Sequence, residues 1–268
     1  MTTPPTHPPY IEIDGTPAPD PDLLTTLMSG FGHFTAFQVR DGRFVKGLGL
    51  HLERLDRSTR ELFGRGLAGA EVRARVAGAV AAAGRRDCSA RVYVYEGARI
   101  AVVVADPAAD TLGAPQRLMS VEYLRPAPHL KHLGGFGQHY HRAAAFRAGY
   151  DEALLTSGHG EIAEAAVSNI AFWDGVSVVW PTAPQLSGVT MTLLEPLLGS
   201  TRKPVSVTDL KDYRAAFVAN ARGIAPVSGV DTVDFAVDAE LMERVGAAYA
   251  SVEPEEILPS GPSGSPPR

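Results

Sequence analysis

What most limits the fold of this chain is a change in the spacing of its apolar residues near Leu50. Before it, Phe34-Thr35-Ala36-Phe37-Gln38-Val39-Arg40 and Arg43-Phe44-Val45 flank Asp41-Gly42, which predicts a β-hairpin. After it, Leu52, Leu55, Leu62 and Phe63 recur at helical spacing, and Gly64 supplies a stop. A second helix in AEVRARVAGAVAAAG closes at Gly84, and the strands ARVYVYEG and ARIAVVVADP follow. Strand, strand, helix, helix, strand, strand predicts a small α+β unit over 23–110.

Pro107 to Gln116 is the predicted linker to a larger mixed unit over 117–251. This unit opens with a strand around Met119 to Leu124 and the proline-bracketed Arg125-Pro126-Ala127-Pro128. A helix after Lys131, a strand at DEALL and an Asp-Gly hairpin in AFWDGVSVVWP come next. SGVTMTLLEPLLG reads as a turn entering a helix at Thr190, with strands around Val205 and Phe217-Val218 behind it. An amphipathic helix runs from about Asp238 to Ala250. Residues 1–22, rich in proline and threonine, predict an extended arm with a short strand at Tyr10–Ile13, and 252–268 a disordered Pro/Gly/Ser tail.

An apolar fraction of 45% against 21% charged residues is that of a chain with a buried core. A net charge of −5 without a basic stripe argues against nucleic acid as the main partner. The single Cys88 rules out an intrachain disulfide and a cysteine metal cluster, and reads as a small strand residue in a reducing cytoplasm. No apolar run is long enough for a bilayer, and MTTPPTHPPY lacks the form of a signal peptide; the expectation is a soluble cytoplasmic protein. Of 25 basic residues only Lys46, Lys131, Lys203 and Lys211 are lysines. Arginine stays charged, so the candidates for an amine nucleophile are few.

Lys131 follows the proline segment, between His129 and His132; its plain reading is a surface lysine. Glu161 and Glu164 begin a strand-like segment, and Glu164 is followed by Ala165-Ala166-Val167. A carboxylate there is either solvated at a strand end or buried with a cationic partner. Gly188-Val189-Thr190 opens a helix whose free N–H groups and hydroxyl suit an anion such as phosphate. Arg54, beside Leu52 and Leu55, reaches inward as a phosphate ligand or lies over the surface. The histidines at 129, 132, 139 and 141 lack a carboxylate to complete a metal set, and no nucleophile elbow, dinucleotide or Walker pattern is present.

Over residues 27–250 the order and spacing of these signals resemble the class IV aminotransferases, the fold-type IV pyridoxal phosphate (PLP) enzymes. That family includes branched-chain and D-amino acid aminotransferases and 4-amino-4-deoxychorismate lyase. The blocks are FTAFQVRDG, HLERLDRS, LKHL through GYDEALL and EIAEAAVSNIAFW, and LSGVT with NARGIAPV; LKHL and the last block look like the lyase branch. The resemblance implies a small and a large domain, PLP as cofactor and a homodimer acting on an amino donor and a keto acid acceptor. Lys131 matches the Schiff-base lysine, and Glu164 the partner of the pyridine nitrogen. Arg54, the backbone of Val189 and Thr190, and Asn220 match the phosphate ligands. Phe34 matches an aromatic wall of the substrate pocket, and Phe136 stands where the branched-chain branch has a cofactor-facing tyrosine. Ala165, Gln38 and Met191 depart from the family's usual glycine, arginine and arginine. Three functions are consistent with this: an aminotransferase, a lyase of the same family, and a binding protein that keeps the fold without the cofactor.

Overall fold

A computed structural model describes residues 12–13, 16–17, 20–108 and 112–258. The first half contains β1 (Glu12–Ile13), β2 (Thr16–Pro17), α1 (Pro21–Met28), β3 (Gly32–Val39), β4 (Phe44–Lys46), α2 (Leu48–Phe63), α3 (Gly69–Ala82), β5 (Cys88–Tyr95) and β6 (Arg99–Ala105). The second contains β7 (Gln116–Glu122), α4 (Phe136–Arg147), β8 (Glu152–Thr156), β9 (Ile162–Ala165), β10 (Asn169–Trp173) and β11 (Val178–Pro181). It continues with α5 (Val189–Leu198), β12 (Thr201–Lys203), β13 (Ala215–Asn220), β14 (Gly223–Val230), β15 (Val233–Asp234), α6 (Ala239–Ala250) and β16 (Pro254–Glu256). No helix among the described residues is long and apolar enough to cross a membrane.

Alternation along β3 and β5 sends Phe37, Val39, Val92 and Val94 to one face of the antiparallel β3-β5-β6 sheet. There they pack with Leu55 of α2 and Val72, Val76 and Val80 of α3. The opposite face carries Phe34, Ala36 and Gln38 in register with Tyr93, Arg91 and Ser89. This is the face turned to the lysine described below.

The hairpin expected at Asp41-Gly42 is only half made. Both residues take positive φ, 52° and 71°, and Arg40 bridges Phe44. Beyond that bridge β4 leaves β3 and pairs antiparallel with β16. The partner comes from the segment expected to be disordered: Ile257 is buried in the core of the α2/α3 unit, so 252–258 is ordered. The rest of that tail, 259–268, lies outside the described residues, as do 1–11 of the arm with Tyr10 and Ile11 of its expected strand, whose Glu12 and Ile13 form β1. Helix α1 begins at Pro21, inside the stretch expected to be extended.

The second sheet runs β12-β11-β10-β13-β14-β7-β8-β9, with β15 on β14. Its β11–β12, β14–β7 and β7–β8 pairs are parallel and the others antiparallel. It curls until β9 returns against β10 and β11. Leu118, Leu154, Ile162, Ile170, Phe172 and Val227 form one core, and Trp180 and Phe217 another with Met191, Leu194, Leu241 and Val245 of α5 and α6. The strand expected near Val205 lies earlier, as β12; Val205 itself accepts the Ile162 N–H.

Two neighbours, Lys46 and Gly47, join the halves. Lys46 Nζ donates to the Tyr249 and Ala250 carbonyls at 2.6 and 3.0 Å. Gly47 caps α2 at φ 66°, and a Cβ there would sit 2.9 Å from Val189 Cγ1. The start of α2 therefore touches the start of α5, which brings Arg54 to the Val189 turn.

Candidate active site

Lys131 reaches the site because its backbone extends the edge of β3. Phe34 N–H donates to the Lys131 carbonyl at 2.9 Å, and Leu133 N–H to the Gly32 carbonyl at 2.9 Å. That register lays Lys131 Nζ 4.8 Å from the centre of the Phe34 ring, which stacks on Tyr93. Lys131 is thus no surface lysine. Burial, followed by the positive charge of Arg54 and Arg125, lowers its pKa from 10.5 to about 7, against the opposing pull of Glu164. Near neutrality much of this amine is unprotonated.

Glu164 sits within β9, 6% exposed, rather than at a solvated strand end. The cation a buried carboxylate needs is Arg125, whose Nε donates to Glu164 Oε1 at 2.8 Å. Arg125 Nη1 and Nη2 donate to the Leu130 and Pro128 carbonyls at 3.2 and 2.5 Å. One guanidinium therefore holds both the carboxylate and the chain entering Lys131. Burial pushes the Glu164 carboxyl up, while the charge and hydrogen bond of Arg125, then the Leu186 N–H and Lys131, hold it back. Arg125 was missed in the sequence; its signal was an arginine inside a proline-stiffened segment upstream of the lysine. Glu161, by contrast, is exposed.

Arg54 points inward and is 6% exposed. Its Nη2 donates to Thr35 Oγ1 at 2.5 Å, but its buried Nε has no partner. Gly188 is the N-cap of α5, with no side-chain cap, so the first-turn N–H groups of Val189 and Thr190 are unmet within the helix. The hydroxyl cap expected in this turn is absent. The turn is set by Asn169, whose Nδ2 donates to Gln185 Oε1 and the Leu186 carbonyl at 2.9 and 2.7 Å. A Cβ on Gly188 would lie 2.1 Å from Asn169 Oδ1, so only glycine fits. Asn220 is nearby with its amide committed: Nδ2 donates to Ser168 Oγ at 2.8 Å and Oδ1 accepts the Arg222 N–H at 2.7 Å.

Phe34, Arg54, Lys131, Glu164, Val189, Thr190 and Asn220 all line one cavity. Phe136 does not. It lies 81% exposed at the first turn of α4, and Gln138 of the same helix lines the wall instead. Gln38 is a structural tie: its amide donates to Ser89 Oγ and the Ala221 carbonyl and accepts the Ala108 N–H. Met191 is buried in the α5/α6 core and reaches no anion site. A second, larger cavity of about 640 Å³ abuts the first and shares His51, Val189, Thr190 and Ala221 with it.

The curled sheet, the α+β unit against it and the cleft between them are those of the fold-type IV PLP enzymes. A family profile described as amino-transferase class IV matches residues 32–230, and the chain belongs to this family. The branched-chain aminotransferase of Thermoproteus uzoniensis, solved with norvaline, is similar at a TM-score of 0.77 and 19% identity, covering 91% of this chain and 98% of that one. A Legionella pneumophila protein provisionally named 4-amino-4-deoxychorismate lyase gives 0.75 and 18%, covering 85% and 93%. A Mycobacterium tuberculosis protein described as a hypothetical aminotransferase, with α-ketoglutarate and pyridoxamine phosphate bound, gives 0.71 and 21%, covering 83% and 90%. A comparison with curated sequences returns no match.

The side chains fit PLP. The orphaned Arg54 Nε and the uncapped start of α5 suit its phosphate, Glu164 its ring nitrogen and the Lys131 amine its aldehyde.

Proposed function

We propose that the protein is a PLP-dependent aminotransferase moving an amino group between an amino acid or amine and a keto acid. One observation carries the reading: an amine of lowered pKa and a buried carboxylate share a cavity with an unpartnered guanidinium N–H and an uncapped helix start. PLP supplies the aldehyde that takes up the amino group and the ring that accepts the electron pair left at the α-carbon. Lys131 holds the cofactor and, once displaced by the incoming amine, moves the proton from the α-carbon. Glu164 keeps a proton on the ring nitrogen, and Arg125 keeps Glu164 in place. Arg54 and the first turn of α5 anchor the phosphate, and Asn220 holds the Val167-Ser168 turn that leads into Asn169. Phe34 forms one wall. Arg91, exposed on the Phe34 face of the sheet and close enough for its charge to act on Lys131, is the group we propose for a substrate carboxylate. We further propose a homodimer, supported by the exposed Phe136–Tyr140 stack on α4.

The test is reconstitution followed by a donor screen. Purified protein plus PLP should show a visible absorption band that Lys131→Ala abolishes, and should convert keto acids only when an amino donor is added. A colourless protein that PLP cannot reconstitute sinks the reading. Release of pyruvate from an aminodeoxychorismate with no amino acceptor reassigns the protein to the lyase branch.

A further inference from the structure

We propose that His51 is a further ligand of the cofactor phosphate, donating from Nε2 on the cavity wall it shares with Val189 and Thr190. The proposal rests on the PLP reading above.

It follows from counting protons in a closed network. Arg54 only donates, and its Nη2 gives a hydrogen bond to Thr35 Oγ1 at 2.5 Å. Thr35 has one hydroxyl proton, and His51 Nδ1 lies 2.7 Å from its oxygen. Thr35 Oγ1 has a second lone pair, so this contact fits either direction. The approach of Arg54 Nη2 to the same nitrogen, 3.4 Å, selects the tautomer that accepts at Nδ1, because Arg54 only donates. The ring is buried 16 positions along the chain from Thr35, and burial with the charges of Arg54 and Lys131 holds it neutral. A neutral imidazole that accepts at Nδ1 carries its proton on Nε2.

No group among the described residues accepts that proton. Nor is Nε2 sealed into the core, because among those residues Arg54 Nε is the buried side-chain atom left without a partner. Nε2 therefore opens onto the cavities that His51 lines, and Val189 and Thr190 line both of them as well. The network thus leaves His51 Nε2 unmet and open to the cavity, beside Arg54, which lines it, and beside a helix start with unmet N–H groups. Donors from three sources around one space suit an acceptor with several anionic oxygens, which a phosphate monoester provides. Thr35 and Arg54 are the positioning residues: Thr35 holds the ring, and Arg54 decides which nitrogen carries the proton.

The experiment compares PLP with pyridoxal, which lacks the phosphate, by equilibrium dialysis against wild type, His51→Ala and His51→Gln. His51→Ala should raise the Kd for PLP about tenfold, as for a lost hydrogen bond to a charged group, and leave pyridoxal within about twofold. His51→Gln, which can accept from Thr35 and still donate, should recover most of the PLP affinity and serves if the alanine variant does not fold. Equal losses for both ligands, or none for PLP, overturn the proposal. Inorganic phosphate gives an arm independent of the cofactor. It should raise the melting temperature of the wild type more than that of the His51→Ala or, if that variant fails to fold, a His51→Phe chain. A wild type stabilised by phosphate in this His51-dependent way but unable to bind PLP keeps the anion site and sinks the cofactor reading. A wild type that binds neither overturns both.

Discussion

At the scale of single residues, the site works by placing charge where water is scarce. Lys131 is held near pKa 7 by burial and three arginines, so its neutral fraction falls as pH drops below 7 and saturates above it. Capture of PLP by the apo protein should therefore accelerate about tenfold per pH unit up to near 7 and then level off. Stopped-flow absorbance measures this; a rate still climbing at pH 9 would indicate a lysine of ordinary pKa. Because the folded pKa lies below the ordinary one, the unfolded chain binds more protons between about 7 and 10.5, and apo stability should rise with pH across that window. Arg125 carries a different load. Arg125→Ala leaves Glu164 buried without its cation and frees the chain before Lys131, and should cost about 3–5 kcal/mol in urea unfolding. The cost should shrink in Glu164→Gln, where no charge is stranded.

At the scale of elements, the site is a meeting of ends: the edge of β3, the start of α5, and β9 running into β10. Leu186 shows how they are tied. Its N–H donates to Glu164 Oε2 at 3.4 Å and its carbonyl accepts from Asn169, so the proposed ring-nitrogen end and the proposed phosphate turn share one residue. Gly188→Ala would drive a methyl into Asn169 Oδ1 and break that tie. We expect a loss of about 1–3 kcal/mol and weaker PLP binding, both read from urea titrations with and without cofactor. An unchanged midpoint would mean that the turn relaxes around the methyl. Elements with strong local periodicity were legible in the sequence: α2, stopped by Gly64, and α6, capped by Asp238, lie where their apolar spacing puts them. The partner of β4 was not legible. A two-residue turn signal at Asp41-Gly42 is local, whereas the choice of β16 depends on burying Ile257 from the far end of the chain.

At the scale of the whole molecule, the α+β unit and the curled sheet meet along Lys46, Gly47 and Val189, and the cleft between them is the site. The helix α4 lines that cleft with Gln138 and presents Phe136, 81% exposed and stacked on Tyr140, to the outside. In the proposed homodimer this pair is covered by the partner. Phe136→Glu should shift the protein to a monomer by analytical ultracentrifugation without lowering the stability of the single chain. A wild type that sediments as a monomer would remove the dimer from this account.

The sequence by itself determined the chemistry on offer: one lysine beside a proline segment, one carboxylate in an apolar run, one helix start without a charged neighbour. These are local facts of residue type and spacing. Only the tertiary structure decided which of them act together. It buried Arg54, which spacing alone places on the surface, and it supplied Arg125 to Glu164 across 39 positions of chain. It also expelled Phe136 from the site that its distance from Lys131 assigned it. The reason is physical. Burial and charge pairing depend on what packs from elsewhere in the chain, and no periodicity within a segment encodes its distant neighbours.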